Sequence, residues 1–396
     1  VFMLRRCLLP VMLGIAALLS AGCWDRSEIN DLALVMATGL DMEEDGAYRA
    51  TAQFVIPVRQ IGATSANGSN HNFMTESATG RTLKETTQNM QYKLSRTLFV
   101  SHRRLLVIGE NLARHGIRDL LDYFSRSPTT RLRTYVLVVK GGKGEDLMKA
   151  EYPLEFVPSE AIREMENLGG TVPITLLDVI NAASAEGMSP VMYSVELLRP
   201  KQGSRNGGNT SKFRTAQIAV FDNLKLIGYL DERQSQAYSW LTGRLKSGLL
   251  AVPSVPGPGR IALSLLHTNS RIDSFVRDGE ISFHVHLTGK GTVEENTGRL
   301  DLTNPVHVNK IEELAAESIK DNMLDLVKEV QEKYGSDILG FGNILHRQHN
   351  KAWQACKDNW KQLFKEADVR VDVDLVIEKI GMTGPPLQLK EKEIIK

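Results

Sequence analysis

A mixed α/β or α+β fold of more than one domain is what this sequence predicts, on three observations. Segments with strand-like alternation and segments with helical periodicity follow one another through the first half of the chain, a pattern that favours α/β architectures over an all-helical one. Roughly 370 residues remain once an apolar leader is set aside, more than one hydrophobic core usually serves. The run Lys201–Lys212, KQGSRNGGNTSK, has no apolar residue and is rich in Gly, Asn and Ser, the composition of a flexible linker or exposed loop. The expected plan is a leader over 1–22, an N-terminal α/β region over 23–200 that can hold two domains, the linker 201–212, a C-terminal α/β domain over 213–382, and a flexible tail over 383–396.

The leader comes first. Arg5 and Arg6 precede Leu8–Cys23, LLPVMLGIAALLSAGC, and a cationic start, a short apolar stretch and small residues at the end make a secretory signal. A cysteine directly after Ala21-Gly22 makes it a lipoprotein signal, in which Cys23 takes a diacylglycerol on its thiol and becomes the mature N-terminus. Ser20 stands where such signals usually carry Leu, with Leu19 one residue further back. Two acyl chains, at ~0.8 kcal/mol per buried methylene, anchor firmly where one does not. No later segment approaches the ~18 uncharged apolar residues that crossing a bilayer takes, so the chain is expected to sit on a membrane without spanning it.

After the leader, Tyr48–Val58 reads as a strand, Thr82–Leu94 as a helix, Leu105–Ile108 as a strand, Glu110–Phe124 as a helix, Arg133–Val139 as a strand and Gly144–Ala150 as a short helix. The polar stretch Ala63–Asn72 reads as a surface loop. Beyond the linker, Ala216–Phe221 and Leu226–Leu230 form a strand pair around Asp222-Asn223, followed by a helical stretch ending near Gly248. A helix is expected from Asn309, with Asn as cap and Glu312 three residues on. Its apolar face is Ile311, Leu314, Ala315, Ile319, Met323, Leu326, Val327 and Val330, and Gly335 ends it. A further helix over Asn350–Glu366 places Trp353, Cys356, Trp360, Leu363 and Phe364 on one side. The strand Val369–Ile377 alternates Val369, Val371, Val373 and Leu375 with Arg370, Asp372 and Asp374, giving one dry and one wet face.

The search for chemistry is mostly negative. Taking Arg5 and Arg6 from the 48 Lys plus Arg leaves 46 against 47 Asp plus Glu, a formal charge of −1, which is not that of a nucleic-acid binder. Cys7 leaves with the leader and Cys23 is lipidated, so Cys356 has no partner for a disulfide within one mature chain and reads as a small core residue. Gly141-Gly142-Lys143-Gly144 and Gly289-Lys290-Gly291-Thr292 lack the spacing of a phosphate loop and read as turns. His284 and His286 would share one strand face but have no third ligand at predictable spacing, and His346 and His349 lack a metalloprotease pattern. Ser101 and His102 are adjacent, so on a strand they would point oppositely and could not pair as nucleophile and base. No metal, cofactor or catalytic residue is assigned.

Three blocks carry a resemblance. Cys23-Trp24-Asp25-Arg26-Ser27-Glu28-Ile29 with Ala37-Thr38-Gly39-Leu40-Asp41, then Ser95–His102 running on to Leu106–Ala113, then Asp337-Ile338-Leu339-Gly340-Phe341-Gly342 with Trp353 and Trp360 behind it, resemble the Ger(x)C family, the lipoprotein C subunits of spore nutrient germinant receptors. The second block has Phe99-Val100-Ser101-His102 where Phe-Ser-His is common in the family. The resemblance implies a non-enzymatic subunit of three mixed α/β domains, anchored through Cys23 at the outer face of the spore inner membrane. It implies polytopic A and B subunits as partners, and leaves open whether this subunit touches germinant. It offers no catalytic residue. Phe99, Trp353 and Trp360 are read from the residues as buried core.

Two other classes share the leader and the α/β body. A lipid-anchored solute-binding protein of a transporter needs a cleft with convergent polar groups, and a cell-wall hydrolase needs paired carboxylates or a metal. Ligand-dependent stabilisation would mark the first, muropeptide release the second.

Overall fold

A computed structural model of the chain describes residues 28–56, 73–152, 154–198 and 212–395. The expected leader, Cys23, the loop 63–72 and all but the last residue of 201–212 lie outside these residues. Strands β1 (Leu32–Met42), β2 (Tyr48–Val55) and β3 (Phe73–Gly80) are followed by helix α1 (Leu83–Gln91), then β4 (Thr97–Phe99) and β5 (Leu105–Gly109). Helices α2 (Glu110–His115) and α3 (Arg118–Arg126) lead to β6 (Tyr135–Lys140), and α4 (Gly144–Lys149), α5 (Pro158–Leu168) and α6 (Leu176–Ser184) to β7 (Val191–Leu198). The hairpin β8 (Lys212–Asp222) and β9 (Lys225–Tyr229) precedes α7 (Glu232–Leu241). Strands β10 (Ser247–Pro253), β11 (Arg260–Arg277) and β12 (Glu280–Asn296), helices α8 (Pro305–Lys328), α9 (Phe341–Gln348), α10 (Asn350–Cys356) and α11 (Trp360–Glu366), and β13 (Asp368–Lys379) complete the chain.

Two sheets organise these elements, so the fold is mixed α/β as expected. The first runs β3-β2-β1-β5-β6-β7-β8-β9, with β4 beside β1, and the second runs β10-β11-β12-β13. The buried run Leu105–Gly109 pairs parallel with β1 and with β6, as strands joined by helical crossovers do. The hairpin reading at Asp222-Asn223 holds, because Asn223 and Leu224 take positive φ of 47° and 63°, the backbone a two-residue hairpin turn needs. Strands β7 and β8, on either side of 201–212, pair antiparallel, so that segment joins neighbouring strands of one sheet. One continuous core runs beneath both sheets.

Several boundaries differ from expectation, each for a local reason. The helix read over Glu110–Phe124 is two helices, broken at Gly116 with φ 136°. Helix α7 stops at Leu241, before Gly243 at φ 70°, and the chain is a strand again by Ser247. Helix α8 begins at Pro305, where Asn304 accepts the Val306 N–H and Pro fills the first turn, a position that suits its missing donor. Glu312 instead reaches β13, accepting the Ile377 N–H at 2.6 Å. The helix read over 350–366 is α10 and α11 joined by a 3-10 turn, with α9 unforeseen before them. Gly289–Thr292 is no turn but mid-strand in β12, where Gly289 clears the Trp240 ring. The segment read as a frayed tail returns to the body, as Ile395 donates to the Arg299 carbonyl and accepts from Asp301.

Candidate functional site

The first and second resemblance blocks meet around a buried carboxylate. Asp41, at the end of β1, accepts the Gly144 N–H at 2.7 Å and the Glu145 N–H at 2.8 Å, holding the start of α4. Burial raises its carboxyl above the ordinary carboxylate range, against these two donors. Gly109 ends β5 beside it, and a Cβ there would collide with the Asp41 carboxylate. The next residue, Glu110, accepts from the Gly141 N–H, the Tyr229 hydroxyl at 3.1 Å and Arg114. Burial works to raise Glu110, but these donors outweigh it and leave the carboxyl below its usual value. Gly141–Gly144 is thus a turn into a capped helix, as read.

The third block repeats the device at the junction of the two sheets. Asp337 is 6 % exposed and accepts the backbone N–H groups of Gly340, Phe341 and Gly342 and the Trp360 indole N–H, at 2.7–3.2 Å. Burial lifts its carboxyl to about 6 in spite of four donors. Its own carbonyl takes the Ser189 N–H just before β7, and Ser336 touches the Phe221 carbonyl of β8. On the other side Phe341 stacks on Phe283 of β12, ring centroids 4.5 Å apart. Trp353 and Trp360 are 1 % and 6 % exposed, so the core reading of both is right, with the Trp353 N–H donated to Glu186.

Phe99 differs, being only half-buried. With Leu98, Val100 and Ser101 it lines an open groove of about 1130 Å³ between α1 and α3, rimmed by Arg118 and Asp122. Ser101 and His102 lie in a 3-10 turn, Val100–His102, rather than on a strand. His284 and His286 share the wet face of β12 as expected, each facing a carboxylate of parallel β13, Asp372 at 2.7 Å and Asp374 at 3.3 Å. Among the described residues no three His, Cys, Asp or Glu side chains form a metal-binding group, and no helix is long and apolar enough to cross a membrane. Cys356 is half-buried at the end of α10, and burial pushes its thiol up.

Residues 25–197 match the family described as spore germination protein N-terminal domain, and residues 216–381 match that described as spore germination B3/GerAC like, C-terminal. The chain belongs to this family of spore germination proteins. Its resemblance to germinant receptor C subunits therefore holds over nearly the whole body. The chain is 27 % identical to the putative spore germination protein YfkR of Bacillus subtilis (strain 168), covering 95 % of this chain and 97 % of that one. It is 24 % identical to spore germination protein KC of the same organism, covering 99 % and 100 %. The crystal structure of the GerBC protein superposes with a TM-score of 0.57 at 16 % identity, over 89 % of this chain and all of the other. That likeness shows a shared fold.

Proposed function

We propose that this chain is the non-enzymatic lipoprotein C subunit of a spore nutrient germinant receptor, held at the extracytoplasmic face of the spore inner membrane by a diacylglycerol on Cys23. The observation that carries the reading is the tiling of both germination-protein families along one chain, beginning two residues after Cys23. Glu28, the first described residue, is five residue steps from Cys23. At no more than ~3.6 Å per residue, the body then stands within about 20 Å of the lipid. Its partners are the polytopic A and B subunits, and it acts by contacting their closed and open states differently, as any subunit that biases such an equilibrium must. The use of Asp41, Glu110 and Asp337 as acceptors for backbone N–H groups supports a scaffolding role.

The test is affinity purification of the tagged full-length chain from detergent-solubilised spore membranes, wild type beside Cys23→Ala, with mass spectrometry of co-eluting proteins. Two polytopic receptor subunits are expected with the wild type and fewer with the variant. Transporter permeases, or no membrane partner, would refute it.

A further inference from the structure

Glu166 sits in the last turn of α5, 4 % exposed. It has no hydrogen bond or ion pair among the described residues, and it lines a cavity of about 280 Å³. An isolated buried carboxylate is strongly disfavoured unless it is neutralised or paired. Burial alone lifts this one to about 8. The surrounding wall brings Thr171, Tyr193 of β7, Thr215 of β8 and Ser239 of α7 to the same space, with exposed Glu232 beside its mouth. Among the described residues the lining holds no Lys, Arg or His. Arg244, the cation whose charge reaches Tyr193, is turned to Asp178 at 2.7 Å and to the Pro173 carbonyl.

The chemistry of the wall selects its occupant. Two carboxyls, six hydroxyls (Ser235 and Ser247 with the four above) and the Gln236 amide, without a cation among the described residues, repel anions and offer acceptors to a positively charged donor. Below the ~300 Å³ at which drug-sized sites begin, and at roughly 30 Å³ per water, the space suits a solute of a few polar groups. We propose that this cavity binds a small hydroxylated primary amine, its ammonium paired with the Glu166 carboxylate and its hydroxyls with Thr171, Thr215 and Ser239. The site lies between the portions matched by the N-terminal and C-terminal families, so occupancy would tie α5 to α7. It does not depend on the receptor reading, because binding is a property of this chain alone.

The purified full-length chain is titrated with glucosamine at pH 7.5 by calorimetry and thermal unfolding, beside N-acetylglucosamine, which keeps the ring and loses the charge. Saturable binding of glucosamine is expected, with at least tenfold weaker binding of the acetylated sugar and of Glu166→Gln. Absence of saturable glucosamine binding overturns the proposal, as does equal binding of the acetylated sugar. Equal stabilisation by potassium chloride assigns the site to a metal cation and overturns it as well. Should Glu166→Gln fail to fold, the comparison of the two sugars on the wild type, with Ser239→Ala, decides the matter.

Discussion

Replacing Glu166 by Gln isolates the energetic consequence of its burial. The native carboxyl keeps its proton to about 8, against an ordinary value of 4.5, because ionising it means charging a group in a low-dielectric wall. In the unfolded chain it ionises near its ordinary value. Between these two values the native state holds more protons than the unfolded state, so stability falls as pH rises from about 4.5 to about 8 and levels off above. At ~1.4 kcal/mol per pH unit, the full difference is of the order of 5 kcal/mol, and water entering the adjoining cavity reduces it toward ~2 kcal/mol. Gln has nearly the same shape and does not titrate. Urea unfolding of the two full-length proteins, without amine, from pH 5 to 8.5 and followed by tryptophan emission, measures the difference directly. Asp337, also raised by burial, is present in both proteins and cancels. The wild type is expected to lose at least ~2 kcal/mol relative to Glu166→Gln across this range; parallel profiles would refute an unpaired, buried Glu166.

Gly342→Ala places a Cβ 2.5 Å from the Gly187 carbonyl oxygen and 2.7 Å from the Trp360 indole nitrogen. Neither the backbone nor a ring held by Asp337 can yield, so a loss of about 1–3 kcal/mol and a change in tryptophan emission are expected in chemical denaturation. Asp41→Ala strips the acceptor from the Gly144 and Glu145 N–H groups, at ~1–3 kcal/mol for an orphaned buried donor. Hydrogen exchange at these two amides is expected to accelerate while that of α1 stays unchanged; unchanged protection at both would show that the carboxylate does not hold α4.

Elements whose register is set by local pattern were legible in the sequence. The alternation of Val369 to Leu375 is the wet-and-dry strand β13, and the periodic face from Ile311 to Val327 is buried in α8 with only Leu314 partly open, Val330 being buried in the π-helical turn that follows. The long hairpin of β11 and β12 was not legible. A bulge between Leu266 and Asn269, with His267 at φ 51°, interrupts the alternation. Beyond it the strand meets α9 through polar groups, Ser274 giving both its N–H and hydroxyl to Gln348. The start of α8 was read at Asn309 with Glu312, whereas the chain enters the helix at Asn304-Pro305. Tertiary structure takes Glu312 away from the cap by using it to hold β13. At Glu166 the sequence shows an ordinary helical glutamate. Only folding brings α5, α7, β7 and β8 around it.

The family blocks have a physical explanation that bears on where function lies. Asp41 and Gly144 are 103 residues apart, and Asp337 must bring Trp360 and three consecutive N–H groups to one point. Glycines fit here for separate reasons: a Cβ on Gly109 would run into the Asp41 carboxylate, Gly340 takes a left-handed φ of 77°, and a Cβ on Gly342 would meet the Gly187 carbonyl and the Trp360 indole. Asp41 thereby fastens the start of α4 to distant β1, while Asp337 closes the start of α9 locally and ties it to Trp360, and positions of this kind serve the fold. They do not specify a ligand. What distinguishes one C subunit from another is then to be sought in surfaces not consumed by this fastening. The half-buried Phe99 at its open groove is one, and the wall around Glu166 is the other.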